Sequence, residues 1–86
     1  MGHLQELTLK MARAIVGYPD QVRVEEVEGA TVTLLELYVA PDDIGRVIGK
    51  KGQTVTAMRV LLYSSAAKEG KRVTLKIAGG WTAQAD

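Results

Sequence analysis

The chain contains no cysteine and no phenylalanine, and its one histidine lies at position 3. The lack of cysteine excludes a disulfide framework and a thiolate metal site. A single histidine near the start supplies no Cys–His or Ser–His pair for nucleophilic catalysis. Metal-ligand spacing is also missing from the sequence. We therefore expect a protein that is not an enzyme, with no catalytic residues, no metal and no cofactor.

Long apolar runs are missing too. No stretch approaches the roughly 20 residues that span a bilayer, and the N-terminus lacks the basic and apolar regions of a signal peptide. We therefore predict a cytoplasmic protein without membrane contact or a small-molecule substrate. The 86 residues leave room for one domain. We expect a single domain over residues 1–79 and a flexible C-terminal tail over residues 80–86.

The chain has almost no excess of either sign of charge, because its formal net charge is only +1. The charges are unevenly placed along the chain. Residues 20–43 carry seven acidic residues and one base, and residues 44–76 carry eight bases and one acidic residue. The second half is therefore the place to look for an anionic ligand, although the same pattern is compatible with an ordinary solvated face.

The first half of the sequence predicts a helix and a hairpin. Residues 4–16 show apolar spacings of three and four, with Gly17 as a possible C-cap. Residues 21–28 and 31–40 alternate as strands around a short connection, which predicts an antiparallel pair. The alternation slips at Glu26 and Val27, which suggests a β-bulge.

The second half predicts two helices and one more strand. A short helix should cover residues 43–48, with an aspartate at or near its N-cap, and a longer one residues 53–68, ending before Gly70. Residues 72–78 alternate as a third strand. A right-handed crossover would make this strand parallel to the second. The predicted fold is α+β, in the order αββααβ, with three helices on one face of a three-stranded mixed sheet.

Two lysines lie between two glycines where the short helix gives way to the long one, at Gly49, Lys50, Lys51 and Gly52. Glycine permits positive φ and close approach of a ligand, and lysines in such a loop can reach phosphate oxygens. Apolar residues flank the loop and could form a groove: Ile44, Val47 and Ile48 before it, Val55 and Met58 after it. Four residues alone do not separate this interpretation from a plain helix end followed by a helix start.

The run from Ile44 to Gln53, IGRVIGKKGQ, resembles the signature of the KH family of RNA-binding domains. The order of elements is similar to the bacterial type II arrangement. From Leu4 to Ile77 the chain resembles the small stand-alone bacterial KH proteins of the KhpA family. Within this span, residues 27–29, 39–42 and 68–73 also resemble that family.

This resemblance implies binding of single-stranded RNA, about four nucleotides at the loop. It implies close backbone approach at Gly49 and Gly52 and phosphate contacts from Lys50 and Lys51. The residues predicted to form the adjacent groove are Ile44, Val47, Ile48 and Val55, with Arg46 as a further RNA contact. It also implies an RNA chaperone or regulator linked to cell elongation and cell shape. The implied partners are a second copy, as a homodimer, and a larger RNA-binding protein of the KhpB type.

Three further cations surround Gly70: Lys68, Lys71 and Arg72. The sequence leaves open whether they touch RNA or only water.

The long helix carries a second apolar stripe: Ala57, Val60, Leu61 and Ser64, with Tyr63 nearby. We predict that a second copy covers this stripe in a symmetric dimer, unless the first helix does.

Other functions fit less well. A Walker A loop needs four residues between its glycines, followed by Lys and Ser or Thr. Here only three residues separate Gly45 from Gly49, and Lys51 stands where the hydroxyl should be. RRM and OB folds stack bases on exposed aromatic side chains. This chain has few aromatic residues, namely Trp81 in the tail and three tyrosines. A protein-interaction module with little RNA binding of its own remains the alternative.

Overall fold

Residues 2–78 are described by the computed structural model. They form the following helices and strands: α1 (His3–Ile15), β1 (Arg23–Glu28), β2 (Val32–Tyr38), α2 (Ile44–Ile48), α3 (Gln53–Lys68) and β3 (Arg72–Ile77). Short 3-10 turns precede β1, α2 and α3, at Pro19–Gln21, Pro41–Asp43 and Lys50–Gly52. The predicted order of elements is confirmed. The predicted flexible tail, residues 80–86, lies outside the described residues.

The three strands form one sheet in the order β1-β2-β3. β1 and β2 are antiparallel, and β2 and β3 are parallel, as predicted. The predicted bulge is wrong, because Glu26 pairs with Leu35 and Val27 with Leu34 in an unbroken register. The apparent slip has a simple cause: Val27 is an apolar residue on the outer face of an edge strand, where its side chain is exposed.

The core lies between one face of this sheet and the helices. Alternate strand residues point inward and are buried: Val24, Thr33, Leu35, Leu37, Val73, Leu75 and Ile77. α1 packs over β1, α3 packs over β3, and α2 packs against α3 and α1. The α+β fold with a three-stranded mixed sheet is therefore confirmed.

The ends of two helices show how local sequence sets the path of the chain. α1 ends at Ile15 with an extended Val16 as its cap, so the prediction of a Gly17 cap is wrong. α3 ends in a Schellman motif, in which Gly70 has φ +70° and the Lys71 N–H donates to the Ala66 carbonyl at 2.9 Å. This motif brings the chain directly from α3 into β3.

Within residues 2–78, no helix is long and apolar enough to cross a membrane.

Candidate functional site

The segment between α2 and α3 is a tight loop with three residues at positive φ. Gly49 has φ 77° and ψ 172°, Lys51 has φ 56° and ψ 25°, and Gly52 has φ 74° and ψ 16°. The Gly49 N–H closes α2 by donating to the Gly45 carbonyl at 2.8 Å, and the Gly52 N–H donates to the Gly49 carbonyl at 3.1 Å. The loop is thus a defined structure.

The two glycines are required for different reasons. Gly49 occupies a region of φ and ψ that is essentially restricted to glycine, and a Cβ there would lie 2.8 Å from the Thr54 nitrogen and overlap the Thr54 side chain. At Gly52 a Cβ would meet nothing within 4 Å. Gly49 therefore allows close packing of the chain on α3, whereas Gly52 supplies only a left-handed backbone conformation.

The side chains of Lys50 and Lys51 extend from this loop into solvent. Within the described part of the chain, neither lysine has an acidic partner within ion-pair distance. Two uncompensated positive charges side by side on a fixed backbone create a local field that attracts anions. The conformation of Lys51 is unusual, since residues other than glycine rarely adopt positive φ.

Arg46 lies on α2 one turn before the loop, and its guanidinium group forms an ion pair with Asp43. Its Nε is 3.5 Å from Oδ1 of Asp43, a residue that is only 1% exposed, whereas the Arg46 side chain is 65% exposed. The same carboxylate accepts N–H bonds from Gly17 at 2.9 Å and Tyr18 at 3.1 Å. Asp43 therefore connects the α1–β1 segment to the start of α2.

This arrangement corrects the expected role of an aspartate at the helix start. Asp43 is at the N-cap position of α2, but its side chain makes no capping hydrogen bond to that helix. Its oxygens are used by the distant backbone N–H groups of Gly17 and Tyr18. A sequence pattern can indicate only a helix cap made by neighbouring residues. The contact of Asp43 joins residues more than 20 positions apart and therefore could not be predicted.

The apolar residues predicted to form a groove fall into two groups. Ile44 and Ile48 are half-buried beside the loop and keep part of their surface exposed. Val47 and Val55 are fully buried in the core, where they pack α2 and α3 together. At this site a ligand can therefore reach Ile44 and Ile48, and Val47 and Val55 act from beneath by fixing the helices.

The cations near Gly70 lie at the other end of α3. Lys68, Lys71 and Arg72 are exposed, and Lys71 Nζ is 4.0 Å from Oε1 of Glu69. A cavity of about 530 Å³ opens beside Lys71 and Arg72, between the end of α3 and the start of β3. This cavity could not be predicted from the sequence, because it depends on the packing of residues from β2, α3 and β3.

The second apolar stripe of α3 is open to solvent. Val60 is 57% exposed and Leu61 is 55% exposed, so α1 does not cover them. α1 contacts α3 beyond this stripe, where His3 Nε2 lies 3.5 Å from the Ser65 hydroxyl. The alternative in which the first helix buries this stripe is therefore wrong.

The family model described as KhpA/KhpB, KH domain, matches residues 5–77, a span that contains all six elements except the first two residues of α1. The chain belongs to the KhpA/KhpB family of KH domains. This membership confirms the predicted family and the type II KH arrangement. It also confirms that the chain is not an enzyme, because KH domains are nucleic-acid-binding modules without catalytic activity.

Similar proteins of established name support the same assignment. The chain is 43% identical to the RNA-binding protein KhpA of Clostridium acetobutylicum over 86% of this chain and 99% of that protein. It is 46% identical to the RNA-binding protein KhpA of Caldanaerobacter subterraneus subsp. tengcongensis, over 84% and 96% of the two chains. The identity to the RNA-binding protein KhpA of Aquifex aeolicus is 40%, over 90% and 98%. Each relative is thus matched over nearly its whole length.

Proposed function

We propose that this protein binds single-stranded RNA, holding about four nucleotides at the loop from Gly49 to Gly52. The observation that carries the proposal is the pair of exposed lysines, Lys50 and Lys51, on a loop with a fixed backbone and no acidic partner among residues 2–78. Membership of the KhpA/KhpB family and the names of the relatives support RNA as the ligand.

Each group at the site has a distinct role in this proposal. Lys50 and Lys51 neutralise phosphates, and the glycines allow the RNA backbone to approach the loop closely. Arg46, ion-paired with Asp43 and largely exposed, contacts a further phosphate. The bases lie on the exposed parts of Ile44 and Ile48, while Val47 and Val55 hold the helices in place from the core.

The test is a titration of fluorescently labelled single-stranded RNA of mixed sequence, followed by anisotropy at several salt concentrations. The wild type should bind with a salt slope of roughly −0.7 per neutralised phosphate, for about two to four phosphates. The double variant Lys50→Asp, Lys51→Asp should lose this binding while its circular dichroism stays that of the wild type.

A matched control separates the loop from net charge. Lys10 and Arg13 are exposed on α1, and the variant Lys10→Glu, Arg13→Glu changes the net charge by the same amount. It should bind RNA nearly as well as the wild type. Equal losses in both double variants would contradict a clamp at the loop and indicate a diffuse electrostatic contact.

A second function is supported by a separate observation, the exposed stripe that includes Val60 and Leu61 on α3. A helix that is apolar beyond its core face requires another partner surface. We propose that a second copy of the chain packs there, forming a homodimer, and that the same stripe can pair with a larger RNA-binding protein of the KhpB type. The joint family name KhpA/KhpB supports such a pairing of related domains.

Association bears on the cellular role. One groove of about four nucleotides discriminates weakly between RNAs, and two linked grooves raise the effective concentration of each for the same strand. We propose that the protein acts as an RNA chaperone or regulator in the cytoplasm, with an effect on cell shape through the RNAs that it binds. The alternative is a protein-interaction module, in which the stripe alone is functional. That alternative predicts no RNA binding by the homodimer but intact binding to the protein partner.

A further inference from the structure

One exposed aromatic residue, Tyr18, has a backbone that is fixed at both of its polar groups. Its N–H donates to Oδ2 of Asp43 at 3.1 Å, and its carbonyl accepts the Gln21 N–H at 3.0 Å. Pro19 follows it and begins the 3-10 turn before β1, and a proline ring locks its own φ. Tyr18 is nevertheless 50% exposed. A large, half-exposed ring therefore projects from a rigid backbone.

Tyr18 differs from Tyr38 in what its side chain contacts. The ring of Tyr38 has the Arg23 guanidinium 4.0 Å from its centroid, and the Tyr38 hydroxyl donates to Glu36 at 3.2 Å. Within residues 2–78, the Tyr18 ring has no such cation and its hydroxyl has no hydrogen-bond partner. Its exposed surface is therefore available to a ligand.

Arg46 shares the Asp43 carboxylate with Tyr18. The Arg46 Nε is 3.5 Å from Oδ1 of that carboxylate, whereas the Tyr18 N–H donates to Oδ2. The Arg46 side chain is 65% exposed, so an aromatic ring and a guanidinium both reach the surface beside one buried carboxylate. Proteins that bind single-stranded nucleic acids combine these two kinds of group, an aromatic face for a base and a cation for the backbone.

The position of these two residues extends the lysine loop along α2. Asp43 precedes Gly49 by six positions, which is about 9 Å along a helix, and Arg46 lies halfway between them. None of these residues belongs to α3 or β3. A single strand that is held at the loop and continues along α2 therefore meets Arg46 first and Tyr18 next.

The charge around Tyr18 limits which part of a nucleotide can bind there. Asp20 and Asp42 are exposed, and they lie next to the 3-10 turn after Tyr18 and to Asp43 in the chain. Their carboxylates repel a phosphate, whereas the uncharged face of a base is not repelled. The site therefore suits a base on the Tyr18 ring, with the phosphate of that nucleotide on the side of Arg46 and the loop.

We propose that Tyr18 and Arg46 form a base-stacking site beside the lysine loop, in which one further nucleotide of the bound strand stacks its base on Tyr18 and pairs its phosphate with Arg46. The inference rests on the proposed binding of RNA at the loop. Asp43 is the positioning residue of this site, because its two oxygens hold the Tyr18 backbone and the Arg46 guanidinium. The site lengthens the bound segment by about one nucleotide.

Abasic nucleotides locate a stacked base. The experiment titrates the protein into an oligoadenylate of about four nucleotides and into a series of about eight nucleotides, in which each position in turn lacks its base. For the wild type, one abasic position outside the clamped four should weaken binding about tenfold, as expected for one stacked base. In Tyr18→Ala that position should lose its effect, and the intact long RNA should bind about tenfold more weakly. Tyr18→Phe keeps the aromatic face and should behave as the wild type.

The short RNA and the thermal midpoint separate a stacking role from a structural one. Tyr18→Ala removes an exposed side chain and no backbone hydrogen bond, so it should bind the short RNA as the wild type does and unfold at the same temperature. Arg46→Gln should weaken binding of the long RNA and make its salt slope shallower by about 0.7. Lys10→Gln on α1, the matched control for the loss of one exposed charge, should leave that slope unchanged.

Different failures identify different errors. If the wild type binds the short RNA but no abasic position responds to Tyr18→Ala, the stacking site is overturned and the loop proposal stands. If Tyr18→Ala weakens the short and the long RNA equally, Tyr18 acts through the structure of the domain, and the stacking site is again overturned. If neither RNA binds the wild type, both proposals fail.

Discussion

Single residues in the loop determine the shape of the candidate site. Three of its four residues have positive φ, and only two of these three are glycine. The third, Lys51, bears the steric penalty of a left-handed conformation. This conformation costs some local stability, which is a pattern typical of functional loops.

Alanine substitutions at three glycines should have graded effects. Gly49→Ala should destabilise the protein by about 2–5 kcal/mol, because a Cβ would overlap Thr54 and the backbone conformation is restricted to glycine. Gly52→Ala should cost about 1–2 kcal/mol, from the left-handed backbone alone. Gly45→Ala, in α2 and with open space at Cβ, should be neutral or stabilise by up to about 1 kcal/mol. Urea denaturation measures the three values, and equal values at 49 and 52 would contradict the contact with Thr54.

Lys51→Asn separates charge from backbone conformation at one position. Asparagine tolerates the left-handed region better than lysine, so the free energy of unfolding should stay the same or rise slightly. The lost charge should lower the affinity for single-stranded RNA and make the salt slope shallower by about 0.7. Lys10→Gln on α1 should leave the slope unchanged. An unaltered slope in Lys51→Asn would mean that Lys51 contacts no phosphate.

At the scale of elements, α2 is a helix of five residues that owes its position to tertiary contacts. A helix of this length has little intrinsic stability. Val47 anchors it in the core, and Asp43 ties its start to the backbone of Gly17 and Tyr18. The geometry of the loop therefore depends on a carboxylate that does not belong to the loop.

Asp43→Ala should destabilise the protein by about 2–4 kcal/mol, because two backbone N–H groups lose their acceptor in a partly buried place. Asp43→Asn keeps one carbonyl oxygen and should cost less. The neighbouring Asp42 is exposed, and Asp42→Ala should change stability by no more than about 0.5 kcal/mol. Thermal denaturation followed by circular dichroism measures all three. Similar losses at 42 and 43 would show that the hydrogen bonds of Asp43 contribute little.

The helices and strands that depend on the pattern of neighbouring residues were predicted well from the sequence. Alternation in residues 31–40 predicted β2, which the structure has at Val32–Tyr38, and the limits of α3, from Gln53 to Lys68, are confirmed. The errors have non-local causes. The sequence around Val27 suggested a bulge because an exposed valine on an edge strand and a shifted strand register produce the same sequence pattern. The cavity beside Tyr63 likewise depends on how distant residues pack.

The whole molecule has charge of opposite sign at the two edges of its sheet. β1 carries Glu25, Glu26 and Glu28, whereas β3 and the turn before it carry Lys71, Arg72 and Lys76. If the protein binds RNA as proposed, the strand should be attracted to the β3 edge and repelled from the β1 edge. This asymmetry gives a nearly neutral protein a direction for electrostatic steering.

Association should be visible at the scale of the whole molecule. Sedimentation at tens of micromolar should give a dimer for the wild type and a monomer for Leu61→Lys, because the substitution places a charge in the apolar stripe. Ala14→Lys, at an exposed position on α1, should remain dimeric. A monomeric wild type at this concentration would remove the homodimer and leave the stripe for a different partner.

The parallel pairing of β2 with β3 also has a consequence for the order in which the chain folds. Val32 pairs with Arg72, 40 positions later, whereas β1 and β2 are joined by a short hairpin. The hairpin can form early, but the β2–β3 pairing must close a long loop, and such non-local contacts slow folding. The segment from Gly49 to Gly52 lies inside that closing loop. We therefore expect the β2–β3 pairing, which encloses the lysine loop, to form later than the β1–β2 hairpin.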